Sequence, residues 1–157
     1  MSRAGIGWDS HRLEEGRRLV LGGVEIAGAD RGLAGFSDAD VLTHALIDAL
    51  LGAAGLDDIG THFPDTDERW RDADSIELLG AALGLIGEAG FAPSNVDLTV
   101  ACETPRLAPY REDMRSRLAE ALGLDLGAVN VKFTTGERMG FVGRGEGIAA
   151  LAVATVS

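Results

Sequence analysis

Asp9, Ser10 and His11 close an early apolar strand, and His44 follows some thirty residues later on a stretch of helical spacing. Alternate side chains of a strand share a face, so Asp9 and His11 can point together, and His44 can add a third arm from another element. Two imidazoles and one carboxylate make a shell with one tetrahedral position open, the pattern of a catalytic rather than a structural zinc. Each piece has a plainer reading too: Asp9-x-His11 as a strand-end turn, His44 as a hydrogen-bonded helical histidine. Asp48, four positions after His44 and so its neighbour on a helix surface, favours the metal, because a ligating imidazole donates its second N–H to a carboxylate or carbonyl.

Three further stretches carry candidate chemistry. Gly60-Thr61-His62-Phe63-Pro64-Asp65-Thr66-Asp67 is acidic and punctuated by proline, which also fits a solvated turn. His62 has no ligand-like spacing to the other two histidines and reads as a structural part of that turn. Thr134-Thr135-Gly136-Glu137 follows a strand directly, where α/β sheets commonly place ligand contacts, and its hydroxyls and carboxylate suit phosphate oxygens and a hard cation. An ordinary strand exit has the same composition. Gly140 to Gly147 holds four glycines in eight residues but no following helix to cradle phosphate, so its glycines read as permitting a tight backbone course.

These residues need elements to position them. Residues 3–9 and 18–26 read as two strands joined by a charged turn at 14–16, followed by a glycine-rich connection over 27–36. Ser37 is the expected N-cap of a helix running to about Ala54, with Asp40 completing a weak capping box and Val41, Leu42, Ala45, Leu46, Ala49, Leu50 and Ala53 at helical spacing. Residues 55–74 read as a long ordered loop, 75–89 and 111–122 as helices, and 96–102, 129–134 and 148–156 as strands. The expected fold is α/β, an α+β sandwich: a mixed sheet covered by helices on one face. Residues 148–156 are apolar on both faces, which predicts a strand buried on both sides. With helices on one side only, self-association supplies the other.

The 157 residues fit one catalytic domain, residues 1–157. A net charge of −11 and a single lysine, Lys132, argue against nucleic-acid binding, so a phosphate ligand would have to be met locally by metals, helix N-termini and amides. Cys102 is the only cysteine, so no internal disulfide forms, which suits a cytoplasmic location. No secretory signal or membrane span is expected.

Taken in order, Asp9-Ser10-His11, Ser37-Asp38-Ala39-Asp40-Val41 with His44-Ala45-Leu46, Asp58-Ile59-Gly60, Phe63-Pro64-Asp65-Thr66-Asp67, Ala73-Asp74-Ser75, Asn95-Val96-Asp97, Asn130-Val131-Lys132 and Gly143-Arg144-Gly145-Glu146-Gly147-Ile148 resemble the 2-C-methyl-D-erythritol 2,4-cyclodiphosphate synthases. The resemblance covers essentially the whole chain. It implies a phosphorus–oxygen lyase of the non-mevalonate isoprenoid pathway, a homotrimer with active sites between subunits, Zn²⁺ or another divalent ion on Asp9, His11 and His44, and Mg²⁺ or Mn²⁺ with the substrate diphosphate.

The same resemblance implies that Thr135 and Glu137 are catalytic, Glu137 through the second ion. It implies substrate contacts from Ser10, Phe36 and Ser37 beside the zinc ligands, from Asp58, Ile59 and Gly60, and from Phe63, Pro64, Asp65, Thr66 and Asp67. Cys102, Glu103, Thr104, Pro105, Arg106, Leu107 and Ala108 match the cytosine pocket wall, and Thr134 and Gly136 the nucleotide-contacting segment. Phe141 and Arg144 match a site at the trimer axis where an isoprenoid-like ligand binds.

Three positions depart from the family. Phe36 stands where the family has a histidine that helps hold the substrate phosphate, which implies reduced or altered activity. Arg106 replaces a lysine, and Gly136 replaces a polar residue, which is expected to slacken the turn that aims Glu137. Two rival functions remain alongside the synthase: a catalytically weakened isoprenoid-diphosphate-binding trimer and a generic zinc phosphohydrolase.

Overall fold

A computed structural model describes all 157 residues. Five strands form a mixed sheet in the order β4-β1-β7-β5-β6, from β1 (Arg3–Glu15), β4 (Arg31–Leu33), β5 (Pro93–Ala101), β6 (Val129–Thr134) and β7 (Gly147–Val156). Only β5 and β6 run parallel; the other neighbours are antiparallel. Helices α1 (Val41–Ala54), α3 (Ser75–Glu88) and α4 (Arg111–Leu122) pack on one face, and two single turns, α2 (Ile59–His62) and α5 (Gly140–Gly143), sit in the connections.

The alternation of β1 explains how the sheet meets its helices. Gly5, Gly7, Asp9, His11 and Leu13 point to the helical side, while Ile6, Trp8 and Ser10 point away and are exposed. At Gly5 and Gly7 there is no side chain because there is no room: an added Cβ would lie 2.1 Å from the Ala49 carbonyl oxygen or 1.8 Å from that of Ala45. Strand and helix thus touch backbone to backbone. Twelve of the fourteen residues of α1 are buried, so this helix is the centre of the core rather than an amphipathic cover.

The expected strand over 18–26 is replaced by a tight hairpin, β2 (Val20–Leu21) and β3 (Val24–Glu25), while β1 itself continues to Glu15. Gly22 and Gly23 turn it with φ of +59° and +71°, a course open to glycine at little cost. The helix start also differs from expectation. Asp40, not Ser37, caps α1, because Ala39 at φ +57° interrupts helical backbone just before it. The fully buried Asp40 carboxylate accepts from the amides of Gly22 (2.9 Å), Gly23 (2.7 Å) and Thr43 (3.0 Å) and from the hydroxyls of Thr43 (2.7 Å) and Ser75 (2.7 Å). One carboxylate therefore joins the hairpin, the start of α1 and the start of α3. The expected loop 55–74 contains α2 and a further turn at Glu68–Trp70.

Strand β7 does not have two covered faces within the chain. Ala150, Ala152, Ala154 and Val156 are buried under the helices, but Leu151 and Val153 are exposed. They pair in register with Trp8 and Ile6 of β1, so four large apolar side chains form one uncovered patch.

Candidate metal centre and adjoining pocket

The close approach of α1 to β1 brings the three predicted ligands together. Asp9 Oδ2 lies 2.9 Å from His11 Nε2 and 3.3 Å from His44 Nδ1, and the three ligand atoms all fall within 4.8 Å of one another. A tetrahedral ion with bonds of about 2.0 Å has ligand atoms roughly 3.3 Å apart, so the donor set has the right scale for zinc.

Its hydrogen bonding also fits a cation. The Ala34 carbonyl accepts a hydrogen bond from His11 Nδ1–H at 2.8 Å, which leaves the Nε2 lone pair facing the Asp9 carboxylate. Two lone pairs at that distance need a positive charge between them, a proton or a metal ion. Accordingly, burial alone would raise Asp9, but the hydrogen bonds and charges of His11 and His44 outweigh it and hold the carboxyl at about 2. Burial would lower His11, yet Asp9 lifts it above the usual imidazole range.

His44 is buried, and its Nε2 faces Ser37 Oγ at 3.3 Å, with Asp38 Oδ1 at 3.9 Å. The expected partner, Asp48, turns away: its carboxylate accepts from the Ile59 amide at 2.8 Å and fixes the start of α2. Position four residues along a helix places two side chains near each other but does not orient them.

A pocket of about 490 Å³ opens on the trio. It gathers Phe36 and Ser37, Ile59 and Gly60, and Phe63, Pro64 and Asp65 around Asp9, His11 and His44. Gly35, Trp70 and Leu78 complete the lining and were not expected from sequence. Gly35 lets the loop come close, since a Cβ there would lie 3.3 Å from the His11 ring. Trp70 packs edge-on to Phe63 at 5.1 Å, and its Nε1 is buried without a hydrogen-bond partner. An aromatic in a polar loop is the signal that would have marked it. Phe36 carries the Arg71 guanidinium 4.8 Å above its ring, and Arg71 is itself held by Glu68.

The remaining expected site residues lie elsewhere. Asp58 caps α2 by accepting from the Thr61 amide and hydroxyl, and Asp67 pairs with Arg69. His62 bonds the Leu56 carbonyl and stays out of the pocket. Ser10 faces the other side of the sheet, with Phe141. Arg144 pairs with Glu146 at 2.9 Å. Cys102 and Leu107 are buried, and Thr104 and Pro105 line a separate cleft with Arg31. Arg106 and Ala108 continue that segment after β5, outside the pocket.

Thr134 ends β6 and residues 135–137 follow it, three strands away from β1. The sheet register runs Asp9, Ala150, Val100, Phe133, and three strand spacings amount to about 14 Å. Within one chain, Thr134, Thr135, Gly136 and Glu137 therefore stand at the same end of the sheet as the metal trio but do not share its pocket.

Comparison with known proteins agrees with this layout. The YgbB family profile matches residues 2–157. A 2-C-methyl-D-erythritol 2,4-cyclodiphosphate synthase from Salinibacter ruber is 57% identical over 154 residues, which cover 98% of both chains. A bifunctional enzyme IspD/IspF from Anaeromyxobacter is 61% identical over 150 residues; the match covers 96% of this chain but 38% of that longer one. A solved 2C-methyl-D-erythritol-2,4-cyclodiphosphate synthase with CDP bound superposes with a TM-score of 0.90 at 38% identity, covering 99% of this chain and 100% of that one.

Proposed function

The chain belongs to the YgbB family, and from that premise we propose that it converts 4-diphosphocytidyl-2-C-methyl-D-erythritol 2-phosphate to the 2,4-cyclodiphosphate with release of CMP. The observation that carries this reading is the Asp9, His11 and His44 cluster at the floor of a pocket, in a chain that matches such synthases along its full length.

The substrate brings its own nucleophile. An oxygen of the 2-phosphate, anionic at neutral pH, bonds to the β-phosphorus while the bond from that phosphorus to the CMP oxygen breaks, closing the ring. No strong general base is required; the barrier lies in bringing anions together in line. A divalent ion on Asp9, His11 and His44, and Mg²⁺ or Mn²⁺ near Glu137, would supply the positive charge that offsets this repulsion. The chain's residues do the rest. Ser37 lines the pocket and offers its hydroxyl to phosphate oxygens, whereas the amides at the start of α1 are held by Asp38, Asp40, Ser37 and Ala73. Ile59, Phe63, Pro64 and Trp70 wall the pocket and limit access of water. Thr135 and Glu137 hold the diphosphate end, and the segment 104–108 receives the cytosine, while the Glu103 carboxylate is taken by the amides of Gly136 and Arg138.

The active form is a homotrimer with each site shared between neighbours, located in the cytoplasm. Two observations support the assembly: the uncovered patch of Ile6, Trp8, Leu151 and Val153, and the separation of the 134–137 turn from the metal trio within one chain. The unpaired Cys102 suits the location. No helix is long and apolar enough to cross a membrane.

The test is product analysis with purified protein, zinc and Mg²⁺. Cyclic diphosphate and CMP in equal amounts are expected. An open-chain product carrying water oxygen would mark a phosphohydrolase instead, and ligand binding without turnover a binding protein.

A further inference from the structure

We propose that Glu103 is a positioning residue for this reaction: its carboxylate clamps the turn that presents Thr135 and Glu137. The proposal rests on the reading above, in which that turn faces the substrate diphosphate.

The clamp follows from the one parallel pair in the sheet. Strands β5 and β6 leave the sheet at the same end, with Ala101 opposite Thr134 and a last bond from the Cys102 amide to the Thr134 carbonyl at 2.9 Å. The next residues of both segments therefore run side by side.

The turn after β6 has an unfavourable backbone. Glu137 and Arg138 are consecutive non-glycine residues at φ of +50° and +62°, a left-handed course that persists only when its surroundings impose it. Inside the turn, the Thr135 hydroxyl oxygen accepts from the Glu137 amide at 3.2 Å and lies 3.3 Å from the Glu137 carboxylate. Those bonds tie Thr135 to Glu137 but anchor neither to the body of the protein.

Two external contacts do. On one side, the turn lies backbone to backbone on α5: a Cβ on Gly136 would be 2.4 Å from the Gly143 nitrogen. Gly136 is thus required by this approach and does not slacken the turn, contrary to the sequence-based expectation. On the other side, Glu103 Oε2 accepts from the Gly136 amide at 2.8 Å and Oε1 from the Arg138 amide at 3.3 Å. These are the two amides flanking Glu137. A carboxylate offers two charged acceptors for two converging N–H groups. Glutamine offers one, and its NH₂ would oppose the other donor.

The experiment compares wild type, Glu103→Ala and Glu103→Gln in the assembled, metal-loaded protein, with CDP as binding probe. In Glu103→Ala, hydrogen exchange in a peptide covering 134–140 is expected to quicken about tenfold or more while β5 and β7 keep their protection. In the same variant kcat falls roughly 10- to 100-fold, with KM and CDP affinity within about threefold of wild type. Glu103→Gln falls between the two. Unchanged exchange in the peptide overturns the clamp. Weaker CDP binding with kcat intact overturns it in favour of direct substrate contact, and loosened exchange across the whole sheet in favour of a general structural role. A wild-type protein without turnover removes the underlying functional reading, while the exchange data still decide whether Glu103 holds the turn.

Discussion

Gly7 and Ala45 stand so close that a single added methyl on Gly7 would overlap the Ala45 carbonyl, at 1.8 Å. The strand that carries Asp9 and His11 and the helix that carries His44 are therefore set at their distance by an absent side chain. Gly7→Ala must push α1 outward or bend β1. Expected costs are about 2–3 kcal/mol of stability and weaker zinc retention. Gly52→Ala is the control: it is exposed on the same helix with nothing within 4 Å, and should stabilise by about 0.5–1 kcal/mol. Thermal melts with parallel zinc determination settle both, and a Gly7→Ala protein as stable as wild type would refute the close contact.

Removing a ligand tests the metal assignment. His44→Ala should purify without tightly held zinc and lose more than about 100-fold in kcat. Chelator-treated wild type should lose activity and regain it on adding zinc, whereas His44→Ala should not. Equal zinc content in variant and wild type would sink the assignment.

Phe36 lines the pocket and offers no hydrogen bond to a phosphate. Phe36→His introduces a donor at the rim beside Ser37 and is expected to raise kcat/KM by about tenfold, the size of one hydrogen bond to a charged group. Identical kinetics in the two proteins would show that the position has no part in phosphate binding.

Cys102 should be inert. Burial pushes its thiol up to about 11, and its Sγ donates to the Thr104 carbonyl at 3.2 Å. At pH 8 only about one molecule in a thousand carries the reactive thiolate, because the pH lies well below the thiol's pKa. Iodoacetamide at pH 8 should leave the folded protein unmodified and label it fully in denaturant; rapid labelling of the folded protein would contradict this environment.

The proposed trimer predicts that Trp8→Glu changes mass rather than fold. Sedimentation should shift from three chains toward one, and activity should fall with it, because a charge placed among Ile6, Leu151 and Val153 cannot be buried cheaply. A wild type that sediments as a single chain while turning over substrate would exclude shared sites.

Much of this site was legible in the chain itself. The spacing of Asp9, His11 and His44 admitted a metal centre beside plainer readings, the family resemblance chose it, and the apolar periodicity of 41–54 announced the helix that delivers His44. Strand β6 was readable to its ends. What escaped was whatever depends on missing side chains or on orientation. Gly5 and Gly7 pass unremarked within the strand expected over 3–9, and only the packed helix shows them to be contact surfaces. Ser37 read as the cap because the sequence does not display the left-handed Ala39 that delays the helix. Asp48 had the right spacing for His44 and the wrong direction, since the Ile59 amide captured its carboxylate. Trp70 joined the pocket through a loop whose course no periodicity encodes.

The alternation of β1 has a consequence for how this protein tolerates change. Residues 5 to 11 carry two programmes on one thread, odd positions serving the helix and the metal, even positions the outer face. Losing or gaining one residue there would keep nearly every side chain and exchange their roles, turning Trp8 toward the core and Asp9 toward the outside. A scan of point substitutions should therefore read as two interleaved stripes, one limited by catalysis and the other by assembly. A scan of single-residue deletions should show a uniform block of failure.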